Sequence, residues 1–304
     1  MSDASMSTPN SSDPISTFTL ASLSGALSDL VTRAASGVVS VHSHHSRASG
    51  FVWRPGLIIT ANEALAEDGE IAVVLPGGES MPATLVGRDP TTDVALLRMG
   101  RADLQTATLT PDPVAAGALA IVVGSQDGAP VAALGVVSVA GGRWRSLRGG
   151  EIDARIELDV SLRRSSEGGV ALDATGRAFG MAVFGPRRRV LIIPSATLDR
   201  VAAQLETHGR IARGYLGLGL QPARLDDGGV GAMVMSVDAK GPGAVAGVRQ
   251  GDMIVAWNGQ SIRSIRTLLR ALGPDSVGSS VKLSLKRAGE PVEVSLTIRE
   301  RPAA

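Results

Sequence analysis

The stretch LDVSLRRSSEGGVALDATGRAFGMAVFG, residues 158 to 185, decides how this chain is read. The apolar run Ile156 to Val160 has the character of a strand and passes into a polar loop. Two glycines follow, Gly168 and Gly169, then the hairpin signal Asp173-Ala174-Thr175-Gly176 and a second apolar strand that ends near Phe184. A loop held between two strands in this way presents one side chain to a cleft.

Outward from this stretch, short apolar runs are punctuated by glycine and proline. Strands are expected at Val38 to His42, Gly50 to Trp53, Leu57 to Thr60, Ile71 to Leu75, Ala83 to Val86 and Val94 to Met99. A second set covers Leu119 to Gly124, Val131 to Val139, Ile152 to Leu158, Val170 to Leu172, Ala178 to Phe184 and Val190 to Ile193. Closely spaced strands with almost no helix between them imply closed β-barrels rather than alternating βαβ units. Leu20, Leu23, Leu27, Leu30 and Val31 recur at helical spacing and predict an amphipathic helix ahead of the first strand. A second helix, capped by Ser195 and burying Leu198, Val201, Ala202 and Leu205, is expected after the last.

Composition narrows the functions. The chain has 304 residues, 44% of them hydrophobic but only 3% aromatic, so its core is aliphatic and large enough for two or three domains. A net charge of +1 argues against a general nucleic-acid binder. The absence of cysteine removes disulfides, thiolate metal sites and a cysteine nucleophile. The first residues, MSDASMSTPNSSDPIST, show no basic and apolar leader, and no apolar run is long enough to span a membrane. From this we expect a cytoplasmic protein with a disordered tail over residues 1–19, no membrane contact and no cofactor.

The 158–185 stretch resembles the nucleophile loop of trypsin-like proteases of the HtrA/Deg type. The run GLIITANEALAEDGEIAVVLPGGESMPATLVGRDPTTDVALLRM, residues 56 to 99, is similar to that family's histidine and aspartate motifs. The resemblance implies a mainly β fold: a double β-barrel over residues 20–200, a connector over 201–213 and a PDZ domain over 214–304. It implies oligomers as well, trimers in many family members. It puts Asp93 at the triad aspartate, Glu63 at the histidine and Glu167 at the serine, with spacings of 30 and 74 residues. Acyl transfer by a serine needs a hydroxyl, an imidazole to take its proton and an acid to orient that imidazole, and only the acid is retained. The expectation is an inactive, pseudoprotease cleft with no intact catalytic residue; the alternative is an endopeptidase with residual activity, or activity only in a mixed oligomer.

Three converging carboxylates need relief by protonation, by arginine or by a hard divalent cation. Arginines are plentiful in the loops that the resemblance places around the site: Arg143, Arg145 and Arg148, then Arg163 and Arg164, then Arg187, Arg188 and Arg189. Pairing or protonation is therefore expected ahead of a metal. The last two groups form a candidate anion-binding rim.

The C-terminal runs RGYLGLGL and GPGAVAGVRQGDMIVAWNGQSI are similar to PDZ domains that follow HtrA/Deg protease domains. The resemblance implies capture of peptide or protein C-termini, with Tyr215, Leu216, Gly217 and Leu218 in the carboxylate loop. Leu218 and Leu220, with Leu268, Leu269 and Leu272, would line the apolar groove.

Overall fold

The computed structural model describes residues 19–225 and 228–302, so all but Thr19 of the expected tail lies outside the described residues. Thr19 accepts the Ser22 amide, and the Ser22 side chain accepts the Thr19 N–H, a reciprocal cap that starts α1 (Leu20–Ala35). Leu30 is buried against the barrels and Leu27 and Val31 pack beside it, but Leu20 is 85% exposed and does not belong to the buried face.

Six strands close the first barrel: β1 (Val38–Ser43), β2 (Ser46–Arg54), β3 (Leu57–Ala61), β4 (Ile71–Val74), β5 (Ser80–Asp89) and β6 (Val94–Met99). The second uses β7 (Leu119–Gln126), β8 (Ala129–Gly141), β11 (Arg155–Asp159), β12 (Val170–Leu172), β13 (Ala178–Phe184) and β14 (Val190–Pro194). Between β8 and β11 a small hairpin, β9 (Trp144–Arg145) with β10 (Glu151–Ile152), carries a loop toward the cleft. Every expected strand has a counterpart, but the run expected as one strand, Ile152 to Leu158, is broken at residues 153–154 into β10 and β11. Closure leaves no free sheet edge along most of either barrel.

Helix α2 (Ser195–His208) follows β14 directly, and residues 201–208, expected to begin the connector, complete it. Ser195 is not its cap. Pro194 holds that position, and the Ser195 hydroxyl instead donates to the Ala178 carbonyl at 2.9 Å, tying the helix to β13. Leu198, Val201, Ala202 and Leu205 are buried, as the spacing predicts. A side chain at Gly87 would collide with the Gly209 carbonyl, so glycine there lets the helix end lie against β5. Gly209, at φ 71°, stops the helix.

The PDZ domain begins at β15 (Gly214–Tyr215), which pairs with the final β22 (Arg299–Glu300). Its main sheet runs β16 (Leu218–Arg224), β17 (Val230–Val237), β18 (Met253–Trp257), β20 (Ser280–Arg287) and β21 (Glu290–Thr297), with β19 (Gln260–Ser261) on β18. Helices α3 (Pro242–Val245) and α4 (Ile265–Ala271) flank it. Leu216, Val234, Ile254, Leu268, Leu283 and Leu285 form a core separate from that of the barrels.

Leu205 anchors α2 in the first core. Leu205→Ala is expected to lower stability by about 2–4 kcal/mol in urea unfolding, and a loss below about 1 kcal/mol would show that the site collapses without a cavity.

Candidate active-site cleft and peptide groove

The loop bearing Glu167 is pinned across the two barrels. The Ser49 amide of β2 donates to the Glu167 carbonyl at 2.8 Å, and the Ser49 hydroxyl donates to the Ser165 carbonyl at 2.5 Å. Gly168, at φ 83°, lies so close to the Ser49 carbonyl that any side chain there would clash. A short helical turn, Arg164–Ser166, precedes Glu167. Within it the Ser166 amide donates to Arg163 O at 3.0 Å and the Glu167 amide to Arg164 O at 3.1 Å.

Glu63 follows β3 and Asp93 precedes β6. The Glu63 amide donates to Asp93 Oδ1 at 2.7 Å, and the Asn62 amide to the Asp93 carbonyl at 3.2 Å. Asp93 adopts φ 60°, a left-handed conformation that Asp tolerates better than most residues. Burial pushes its carboxyl up to about 7; the Glu63 and Glu167 carboxylates push the same way, while the Glu63 amide and Arg148 oppose. Glu167 is also raised, by burial first and then by Glu63, against the Phe184 amide, which donates to Glu167 Oε1 at 3.4 Å, and the Arg164 and Arg188 charges. The three sequence-predicted acids therefore share one electrostatic site.

The arginines divide. Arg148 pairs with Glu63 at 3.1 Å. Arg143 and Arg145 pair with Glu151 at 2.8 and 3.4 Å, and Arg189, expected in the rim, joins Arg155 on the buried Glu157. Arg163, Arg164, Arg187 and Arg188 stay exposed on the two loops beside Glu167. Among the described residues no group of three or more His, Cys, Asp or Glu is arranged to hold a metal.

In the PDZ domain β16 is an edge strand, paired only with β17, and α4 lies across from it. Leu218 and Leu220 are half-buried between them, Leu272 packs on the core and Leu269 is 56% exposed. Leu216 and Leu268 are buried in the core, Leu268 at 2% exposure, so neither side chain lines the groove. Gly217, at φ 71°, turns the chain between Leu216, whose carbonyl accepts the Gly243 amide at 2.7 Å, and Leu218. The Tyr215 hydroxyl donates to Asp238 Oδ2 at 2.9 Å. That partner was missed because it lies on the opposite side of a hairpin 23 residues away; the Asp238-Ala239-Lys240 turn was its only local signal.

With this geometry in place, comparison with known proteins is direct. A trypsin-like peptidase domain model matches residues 48–181 and a PDZ domain model residues 214–298. A probable periplasmic serine endoprotease DegP-like of Brucella suis biovar 1 is 30% identical over 275 residues, covering 84% of this chain and 53% of the relative. That of Chlamydia pneumoniae is 29% identical over 272 residues, covering 84% and 55%. The chain thus spans about half the length of the curated relatives it matches. Among solved structures, the HtrA-type protease AlgW with decapeptide superposes at a TM-score of 0.67 with 22% identity, covering 91% of this chain and 99% of that one. The serine endoprotease from Yersinia pestis gives 0.68 with 24% identity, covering 90% and 98%. The class is therefore a trypsin-like peptidase fold joined to a PDZ domain. Within that class the chain is of the HtrA/DegP type, with one PDZ domain following the barrels among the described residues.

The relatives' periplasmic names overturn the expected cytoplasmic location. That expectation rested on a missing leader, and an absence at one end of a sequence that spans half its relatives does not identify a compartment. No helix among the described residues is long and apolar enough to cross a membrane.

The raised Asp93 value has a definite sign. The native state keeps a proton that the unfolded chain releases from about pH 4, so this residue lowers stability as pH climbs from about 4 to 7. Asp93→Asn keeps an oxygen for the Glu63 amide and removes the buried charge. It is expected to gain roughly 2–4 kcal/mol over wild type at pH 8 and little at pH 4 in paired urea titrations; an equal effect at both would refute the assignment.

Proposed function

We propose that the chain is a catalytically degenerate HtrA-type protein that captures peptides and protein C-termini, acting as a scaffold or regulator rather than hydrolysing them. The observation that carries this reading is the pair Glu63 and Glu167 around Asp93, where serine acyl transfer requires an imidazole and a hydroxyl. Two further facts support it. A carboxylate at 167 repels a developing oxyanion, and the Glu167 amide, which would have to stabilise that oxyanion, already donates to Arg164 O. The open edge of β16 beside α4 supports the binding half of the reading, since an edge strand accepts a peptide as an added strand.

A second reading, endopeptidase activity that is residual or confined to a mixed oligomer, is favoured by the relatives' names, which call them serine endoproteases. A fluorophosphonate probe separates the two, because it labels an activated serine and ignores a glutamate. No labelling is expected; labelling lost on Ser165 or Ser166 replacement decides for the enzyme. The double change Glu63→His with Glu167→Ser is expected to leave casein turnover at background, since one lost oxyanion donor alone costs about 10²–10³ in kcat. Vigorous turnover would show that the loop re-forms its donor site.

For the groove, a fluorescent peptide with a free apolar C-terminus is expected to bind at least about tenfold more weakly to Leu218→Arg and to lose affinity on amidation. Equal binding of both peptide forms would remove the carboxylate loop from the account. Light scattering on the chain tests the trimer implied by the family resemblance.

A further inference from the structure

Several arginines around the cleft have carboxylate partners. Arg148 has Glu63, Arg143 and Arg145 share Glu151, and Arg155 and Arg189 share Glu157. Arg163, Arg164, Arg187 and Arg188 have no carboxylate within ion-pair distance among the described residues, and all four are exposed. They lie on two loops that meet at Glu167, one leading into it and the other leaving the end of β13.

The second loop is built rather than slack. Arg187 and Arg188 both sit at φ 58°, a region that non-glycine residues occupy at a cost and mostly at functional loops. The Gly185 amide closes the turn on Arg189 O at 2.8 Å, and the Arg188 amide donates to Gly185 O at 3.0 Å. The Arg188 guanidinium is laid over the Phe184 ring at 4.9 Å, which fixes its charge beside the cleft.

Between these loops lies a length of free strand edge. β12 pairs with β13 only as far as Met181, and the Ala182 amide still reaches Gly169 O at 2.9 Å. Beyond it Val183 and Phe184 have β14 on one side and no strand on the other. The Phe184 amide fills the gap with Glu167 Oε1 at 3.4 Å, a long bond that an incoming peptide carbonyl can replace.

We propose that this edge and the four unpaired arginines form a docking track for an acidic peptide segment, added as a strand against Val183–Phe184 with its carboxylates on Arg163 and Arg164 to one side and Arg187 and Arg188 to the other. A peptide fits better than a nucleic acid. The free edge offers backbone groups that only another backbone satisfies in register, and the one ring of the two loops is covered by Arg188. The inference deepens the reading of the cleft as a site that holds peptides without cutting them, and it rests on that reading.

The test uses the full chain and a fluorescein-labelled peptide rich in Asp and Glu. Its C-terminus is amidated so that the PDZ carboxylate loop has nothing to grip. Fluorescence anisotropy should show binding that weakens about tenfold or more in Arg163→Gln with Arg164→Gln and, separately, in Arg187→Asn with Arg188→Asn. It should also weaken between about 50 and about 300 mM salt. Asn is chosen at the second pair because it tolerates positive φ. Should that variant lose its wild-type melting temperature, the first pair, on a different loop, still decides. Unchanged affinity in the folded variants, equal affinity for an Asn/Gln analogue of the peptide, or tighter binding of an oligothymidylate would each overturn the proposal. Mass spectrometry of the recovered probe tests the underlying reading separately: a cleaved peptide defeats the degenerate cleft, whatever the arginine variants show.

Discussion

One fully buried serine holds the two barrels in register. The Ser49 hydroxyl accepts the Ser125 amide of β7 at 2.8 Å while donating to Ser165 O, its carbonyl accepts the Thr60 hydroxyl of β3 at 2.7 Å, and its amide holds Glu167 O. Each of these groups is out of water, so leaving one unmatched costs about 1–3 kcal/mol. Glycines at 124 and 168 make the close approach possible: a side chain at the first would strike Ser166, and one at the second would strike Ser49 itself. The loop that aims residue 167 into the cleft is thus over-determined by backbone and serine contacts. None of them uses the side chain of residue 167, so an acid there leaves these contacts undisturbed.

The electrostatics of the cleft follow from this rigidity. Because the loop cannot move the carboxylate away, the acids relax by the two means left to them. Asp93, the most enclosed, is pushed toward its neutral form, and Glu63, half-exposed, takes Arg148. Glu167 lies between these cases, with a single long amide bond and two guanidinium charges at a distance. A divalent cation is a third means, and the described residues lack the clustered donors for it.

How much of this is legible in the sequence depends on the range of the interaction. Strands and paired glycines follow from local pattern, while the grouping of Glu63, Asp93 and Glu167 follows from the family resemblance and not from spacing alone. Partner choice follows from neither. Arg189 reads as one of three adjacent rim arginines, but its strand neighbour is β11, whose Glu157 is 5% exposed and accepts both Arg155 and Arg189. A buried carboxylate recruits cations wherever the sheet brings them, and sheet pairing over 32 residues leaves no local trace. Ser195 likewise has the chemistry of a helix cap, yet the Ala178 carbonyl across the barrel is the partner it meets. Leu268 and Leu269 are neighbours on α4, and only the direction of the helix face sends one to the core and the other to solvent.

The same distinction explains why the loop between β9 and β10 matters more than its composition suggests. Arg145 donates to Arg270 O at the end of α4 at 2.7 Å, and Arg148, three residues on, holds Glu63. The Ser146 hydroxyl donates to Thr91 O at 2.6 Å and accepts the Gly150 amide at 3.1 Å, so the segment is braced against the residues just before Asp93. Arg213 reaches the buried Asp89 at 3.1 Å from the PDZ side of the same seam. The charge that offsets Glu63 is therefore carried by a loop that also touches the helix of the peptide groove. In this chain the loop that compensates an acid of the cleft is thus tied, three residues earlier, to a backbone carbonyl at the end of α4.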